Sequence, residues 1–139
     1  ITYRSNLARL MEQLINEGKK EKARNIIDLA MKQMPLEHYG YYTLVEPFAA
    51  GYYEVGEKQK ARDLLTRLEK KYQQNLDYHL GTSAQEQNAN SMDIRIDIER
   101  YRGLLMVMKE RGDLEFYEQQ RKIFNKYNEK FKRFGRENE

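Results

Sequence analysis

Residue types that commonly do chemistry are sparse in this chain. It has two histidines, His38 and His79, and no cysteine. The histidines are too few and too far apart for a His-rich metal site, and neither belongs to a paired-histidine zinc motif. His38 falls in a link between helices and His79 near the end of a long helix, so both are expected to be exposed or packing residues. Asp93, Asp97 and Glu99 form the closest carboxylate cluster. No base, nucleophile or metal partner accompanies them in sequence, so acid–base work is not expected of them. The chain also lacks a phosphate-cradling glycine loop and a Gly-x-Ser-x-Gly elbow. The expectation is a protein with no catalytic residues, no metal and no cofactor.

The tyrosines are a different signal. Tyr39, Tyr41, Tyr42, Tyr52 and Tyr53 crowd around one stretch. A tyrosine combines a large apolar body with a polar tip, which suits either an interface or a core where the phenol reaches a partner. Tyr52 falls on an apolar stripe and reads as core, whereas Tyr53 faces the other way.

Helices must position all of these. Hydrophobic residues make up 40% and charged residues 34% of 139 residues, with only two prolines and eight glycines. That balance suits thin helical layers with much surface in water. No apolar run approaches the ~20 residues that cross a bilayer, so no direct membrane insertion is expected. Net charge is +3 and the pI about 9.0, yet Lys and Arg alternate with Glu and Asp. Blocks such as Glu17 to Lys22 read as solvated helix ends, and a nucleic-acid partner is not expected. Without cysteine there is neither a disulfide framework nor a thiolate site, and the compartment stays open. A first residue that is Ile1 and not Met leads to the expectation of a piece of a longer chain.

Internal repetition decides the fold class. Gly18-Lys-Lys-Glu-Lys-Ala23 returns as Gly56-Glu-Lys-Gln-Lys-Ala61. A glycine there ends one helix and permits a turn of positive φ, and the alanine lets two helices approach closely. Around the first pair lie Leu7, Leu10, Met11 and Leu14, then Ala23, Ile27, Ala30 and Pro35. Around the second lie Val45, Phe48, Ala49 and Tyr52, then Ala61, Leu65 and Leu68. Spacings of three and four mark one buried stripe per helix, and the layout fits the ~34-residue tetratricopeptide (TPR) unit. Met11 occupies a site that is usually small. A third, eroded copy runs through Tyr101, Leu104, Leu105 and Met108 to Gly112, then Phe116, Phe124 and Tyr127, with Tyr117 in the alanine place. Close packing there must be relaxed or shifted. The last helix, with Arg121, Lys122, Lys126 and Lys130 around Ile123, Phe124, Tyr127 and Phe131, fits a cap.

The expected fold is therefore all-α: TPR-like helical hairpin repeats, about six helices in three antiparallel pairs, stacked as a right-handed superhelix. One domain spans 1–139, with repeat one at 4–37, repeat two at 42–75, an insertion at 76–97, and the degenerate third repeat with its cap at 98–134. The insertion extends the fourth helix through Tyr72, Leu76 and Tyr78. Gly81 to Asn90 reads as a loop or an uncertain helical entry. A long fifth helix starts at Ser91 and carries Ile94, Ile98, Tyr101, Leu105 and Met108.

In such stacks the first helix of each hairpin lines the concave side. That projection places Ala8, Arg9, Glu12 and Asn16 there, joined by Thr43, Glu46, Ala50, Tyr53 and Glu54, and by Arg102, Met106 and Lys109. Both charge signs mixed with Tyr and Met suit a protein or peptide partner better than a nucleic acid.

The stretch from Arg4 to Tyr78 resembles a particular soluble tail. Its elements are Leu7-Ala-Arg-Leu10, Glu17-Gly-Lys-Lys-Glu-Lys-Ala23, Met34-Pro35, the tyrosine-rich link, Pro47-Phe48 and Tyr52-Tyr53. They are similar to the C-terminal TPR-like region of bacterial multi-spanning membrane proteins related to protein O-mannosyltransferases. The resemblance covers a little over half the chain. It implies that catalysis belongs to a membrane portion, and that this tail lies on the extracytoplasmic (periplasmic) side, packing on that portion or holding a protein. Without the resemblance, a cytoplasmic domain is expected. No catalytic residue carries over. The expected function is a non-catalytic interaction or scaffold domain; the alternatives are a self-association module and, further off, nucleic-acid binding.

Overall fold

The computed structural model describes residues 2–33 and 45–135. Among them the chain is helical, with no strand: α1 (Thr2–Asn16), α2 (Lys20–Gln33), α3 (Glu46–Glu54), α4 (Lys58–Leu80), α5 (Ala84–Ala89), α6 (Ser91–Glu110), α7 (Leu114–Lys130) and a 3₁₀ turn at Lys132–Phe134. None of these helices is long and apolar enough to cross a membrane. Expectations that fall on Pro35, His38, Tyr39, Tyr41, Tyr42 and Thr43 lie outside the described residues.

Three glycines punctuate the helices in the same way. Gly18, Gly56 and Gly112 have φ of +77°, +83° and +77°. At each, the glycine N–H donates three residues back and the next N–H five residues back. The pairs are Gly18 to Ile15 and Lys19 to Leu14, Gly56 to Tyr53 and Glu57 to Tyr52, and Gly112 to Lys109 and Asp113 to Met108, at 2.8–3.1 Å. This is a Schellman turn, which satisfies carbonyls that a helix end leaves orphaned and needs the left-handed region that glycine enters freely. The next helix starts at once, because Lys19, Glu57 and Asp113 offer their carbonyls to Ala23, Ala61 and Tyr117. The third turn, eroded in sequence, is intact in geometry.

The chain groups into two units, Ile1–Thr66 and Arg67–Glu139, with α4 contributing residues to both. In the first unit α1 packs on α2, and α3 packs on both. Its core holds Leu7, Met11, Ala23, Ile27, Ala30, Val45, Phe48, Ala49 and Ala61. Leu10, expected on the buried stripe, is instead 41% exposed. Leu7 and Met11, four apart, take the inward face, and Leu10 falls to its flank. The oversized Met11 is accommodated by Gly51 of α3. A Cβ at Gly51 would run into Met11 Sδ and stand 3.0 Å from Ile27 Cδ1 and 3.1 Å from Met11 Cε. The missing side chain on α3 makes the room that a small residue on α1 would ordinarily leave. Tyr52 is core as expected, and its hydroxyl donates to Asp28 Oδ1 at 2.8 Å.

In the second unit α7 packs on α6, and the 3₁₀ turn returns to α6. Leu68, Tyr72 and Leu76 of α4 are buried, as are Ile94, Ile98, Tyr101, Leu104, Leu105 and Met108 of α6. The Tyr101 ring meets Phe124 edge-on at 4.9 Å between centroids, with Tyr72 and Tyr127 at 6.5 and 6.1 Å. Tyr117, in the alanine place, is only half-buried, and Phe116 beside it enters the core instead. Arg95 Nε donates to the Phe134 carbonyl at 2.9 Å, tying down the 3₁₀ turn.

The polar stretch after Gly81 is not a plain loop. It holds α5, so the described residues contain seven α-helices where six were expected. Ser83 accepts from the Glu86 N–H at 3.1 Å, and Glu86 Oε2 accepts from the Ser83 N–H at 3.2 Å. This reciprocal capping box starts a helix with no apolar stripe of its own.

Candidate functional site

The projected concave-face residues fall in both units, and each unit is described separately. In the first, Arg9, Glu12 and Asn16 of α1 are exposed, and Glu46 and Tyr53 of α3 are half-exposed. In the second, Met106 and Lys109 of α6 are exposed and Arg102 is half-buried. Arg102 Nη1 donates to Glu99 Oε1 at 2.6 Å and Nη2 to Asn128 Oδ1 at 3.4 Å, with the guanidinium 5.5 Å from the Phe124 ring centre. Lys109 Nζ stands 5.7 Å over the Tyr117 ring. Of the cluster Asp93, Asp97 and Glu99, the last is thus committed to Arg102.

The other two carboxylates line a cleft of about 520 Å³ within the second unit. Asn75, Tyr78 and His79 come to it from the last turns of α4. Asp93, Ile96, Asp97 and Arg100 come from α6, with Asn90 at that helix's start. The periodicities explain the meeting. Asp93 and Asp97 stand one turn apart on one face of α6, while Ile94 and Ile98 turn into the core. On α4, Leu76 takes the inward position and leaves Asn75, Tyr78 and His79 around its rim.

The wall formed by the end of α4 is held in place by its backbone. The His79 carbonyl accepts from Thr82 Oγ1 at 2.7 Å and from Gln87 Nε2 at 2.9 Å. Gln87 Oε1 in turn accepts from Arg133 Nη2 at 2.7 Å. The Tyr78 and His79 rings meet edge-on at 5.4 Å. His79 is 8% exposed, and its buried Nδ1 has no hydrogen-bond partner. Tyr78 by contrast is 69% exposed. Burial raises the Asp97 carboxyl above the ordinary aspartate range. The Asn75 side chain and the nearby His79 pull it back, Asp93 pushes it up and Arg100 pulls it down.

No family model, curated protein or solved structure matches this chain.

His79 and the pair Asp93/Asp97 were each singled out in sequence but not joined. Tyr78 and Asn75 were not marked for the cleft at all. The only available signal was indirect: α4 running past Leu76 and α6 starting at Ser91 bring the ends of two long helices near each other. Among the described residues, no group of three or more His, Asp or Glu side chains is arranged to hold a metal ion.

A second carboxyl shows what burial alone produces. Glu69 of α4 is 1% exposed, and desolvation pushes its pKa up to about 8, with a Tyr101 hydrogen bond acting downward. Gln73 Nε2 donates to the Tyr101 hydroxyl at 2.7 Å. With its amide nitrogen turned to the carboxylate, Gln120 donates to Glu69 Oε2 at 2.8 Å. Tyr127 donates to Asp77 Oδ1 at 2.9 Å, and burial followed by the Asp77 contact pushes its own pKa up to about 12.

Proposed function

We propose that this chain is a non-catalytic recognition or scaffold domain of TPR-like helical hairpins. The observation carrying that reading is the threefold recurrence of one turn. Gly18, Gly56 and Gly112 share φ and hydrogen bonding, and each joins two consecutive helices. Hairpins repeated in this way bury their stripes on neighbours and present extended surface, which repeat proteins use for binding. The resemblance of Arg4 to Tyr78 supports placing the domain in the tail of a larger membrane protein of glycosyltransferase type, on its extracytoplasmic side. Its partner is then a protein or peptide, the membrane portion of the parent included.

The test is capture from native membranes with the chain as bait, against a Tyr53→Ala, Lys109→Ala double variant. Arg102 is left intact because its guanidinium holds Glu99 and Asn128. A partner kept by the wild type and lost by the variant supports recognition through the projected face. Equal capture by both moves the contact elsewhere on the chain. Failure of either form to retain any protein counts against recognition.

A further inference from the structure

We propose that Glu69 of α4 and Gln120 of α7, with Tyr101 of α6 beside them, form a proton-operated latch on the last helix. With a proton on its carboxyl, Glu69 donates to the Gln120 side-chain oxygen. Without it, the Gln120 amide turns over and donates to the carboxylate instead. The latch lies wholly within the second unit and works whatever partner the domain holds.

Its first support is a sealed carboxyl without a counter-charge. Glu69 is 1% exposed, and among the described residues no Lys or Arg forms an ion pair with it. A lone carboxylate in such a place is costly, and keeping the proton is the usual remedy. Burial pushes the group up to about 8, against the lowering effect of the Tyr101 bond. The other titratable groups of the cluster are Tyr101 of α6 and Tyr127 of α7, the latter bonded to Asp77 of α4. Burial raises both phenols, so they keep their protons where Glu69 loses its own.

The second support is the sense of the hydrogen bonds. Gln73 Nε2 donates to the Tyr101 hydroxyl at 2.7 Å, which sends the phenol's own proton to Glu69. Glu69 Oε2 then faces the Gln120 amide at 2.8 Å. That separation suits an amide N–H on a carboxylate or a carboxyl O–H on an amide oxygen. With its oxygen toward Glu69, Gln120 is bonded only if the carboxyl carries a proton. With its nitrogen there, an ionised carboxyl is satisfied, whereas a neutral one would leave its O–H without an acceptor. The two protonation states therefore need opposite faces of one amide, and a half-turn of that side chain exchanges them.

The consequence falls on α7. Its other tie to α4, from Tyr127 to Asp77, is exposed and so contributes little. Release of α7 lets water reach Glu69, which then gives up its proton to the solvent at its ordinary value of 4.5. The latch is thus tightest below pH 4.5 and weakens as pH rises to about 8.

The test is NMR on the 139-residue chain labelled with ¹³C and ¹⁵N. The Glu69 side-chain carboxyl carbon should titrate near 8 and not near 4.5, and the Gln120 side-chain amide should move with the same midpoint. A Glu69 midpoint near 4.5, or a Gln120 amide indifferent to the Glu69 titration, overturns the latch, and neither readout needs a variant. Hydrogen exchange then tests the release. Protection factors of the α7 amides should fall by up to about tenfold per pH unit between pH 5 and 8 and level off beyond. In Glu69→Gln, which keeps the size and has no proton to lose, that fall should vanish. A fall of the same size in Glu69→Gln, or an equal fall among the α1 and α2 amides of the wild type, overturns local release of α7 by Glu69.

Discussion

Replacing Gly51 by alanine should destabilise the chain, although alanine is the better helix former, and the sign should reverse once Met11 is shortened. In a helix interior, Gly to Ala gains about 0.5–1 kcal/mol from backbone entropy. Against this stands the contact. The new Cβ would overlap Met11 Sδ and press on Ile27 Cδ1 and Met11 Cε at 3.0 and 3.1 Å. Met11 is 2% and Ile27 0% exposed, so neither side chain has open space to move into. Overpacking of this kind costs about 1–3 kcal/mol, leaving a net loss of up to about 2.5 kcal/mol for Gly51→Ala. Met11→Ala alone should lose about 2–5 kcal/mol through the cavity it opens. In that background Gly51→Ala refills part of the space and should be neutral or stabilising by up to about 1 kcal/mol. Urea unfolding of the four proteins, followed by circular dichroism, yields the coupling energy as a double-mutant cycle. A coupling below about 0.5 kcal/mol would refute the idea that Gly51 exists to seat Met11.

Other expectations are simpler. Ala23→Leu and Ala61→Leu, both at 0% exposure, should each cost about 1–3 kcal/mol in denaturant unfolding, whereas Tyr117→Leu at the equivalent, half-buried place should cost less. Alanine at Gly18, Gly56 or Gly112 should cost about 1–2 kcal/mol at each, from the left-handed backbone alone, because no atom lies within 4 Å of the added Cβ. A much larger loss at any one would point to a steric role. Glu69 binds its proton more tightly folded than unfolded, 8 against 4.5, so its contribution to stability is complete below pH 4.5 and declines until about pH 8. The 3.5-unit gap sets an upper limit of about 5 kcal/mol on that decline. Glu69→Gln should flatten this part of the thermal stability–pH profile between pH 5 and 9; an unchanged slope would exclude Glu69 as its source.

The helices and turns were legible because their signals are local. A glycine that must take positive φ, an apolar stripe of period three and four, and the absence of interior prolines act within a few residues. Other features depend on partners distant in sequence. Gly51 looks like a weak spot in α3 until Met11 is seen beside it. Leu10 obeys the stripe in one dimension but lies on the flank of the face that α2 and α3 cover. Helix α5 was left open between a loop and a helical entry for a different reason: its Ser83–Glu86 capping box is local, but it lacks the apolar period on which the reading relied. For the cleft, residue types gave His79 and the Asp93/Asp97 pair. Their meeting depends on where α4 ends, which is set by the Thr82 and Gln87 bonds to the His79 carbonyl.

Glu69 and Asp97 show why burial by itself does not distinguish a functional carboxyl from a structural one. Desolvation raises both. Around Glu69 the chain supplies donors from Tyr101 and Gln120, with Gln73 behind the tyrosine, and closes the group off at 1% exposure. All the hydrogen bonding that site requires comes from within, so a ligand would have nothing to add. Asp97 is braced by Asn75, but it stays half-exposed in an open cleft beside another carboxylate and a buried imidazole nitrogen without a donor. Its surroundings include the donors Asn90 and Arg100 as well as Asn75, and the cleft is open to solvent. The two carboxyls therefore differ in closure: Glu69, with the larger displacement, is sealed inside the unit, whereas Asp97 lines the open α4–α6 cleft.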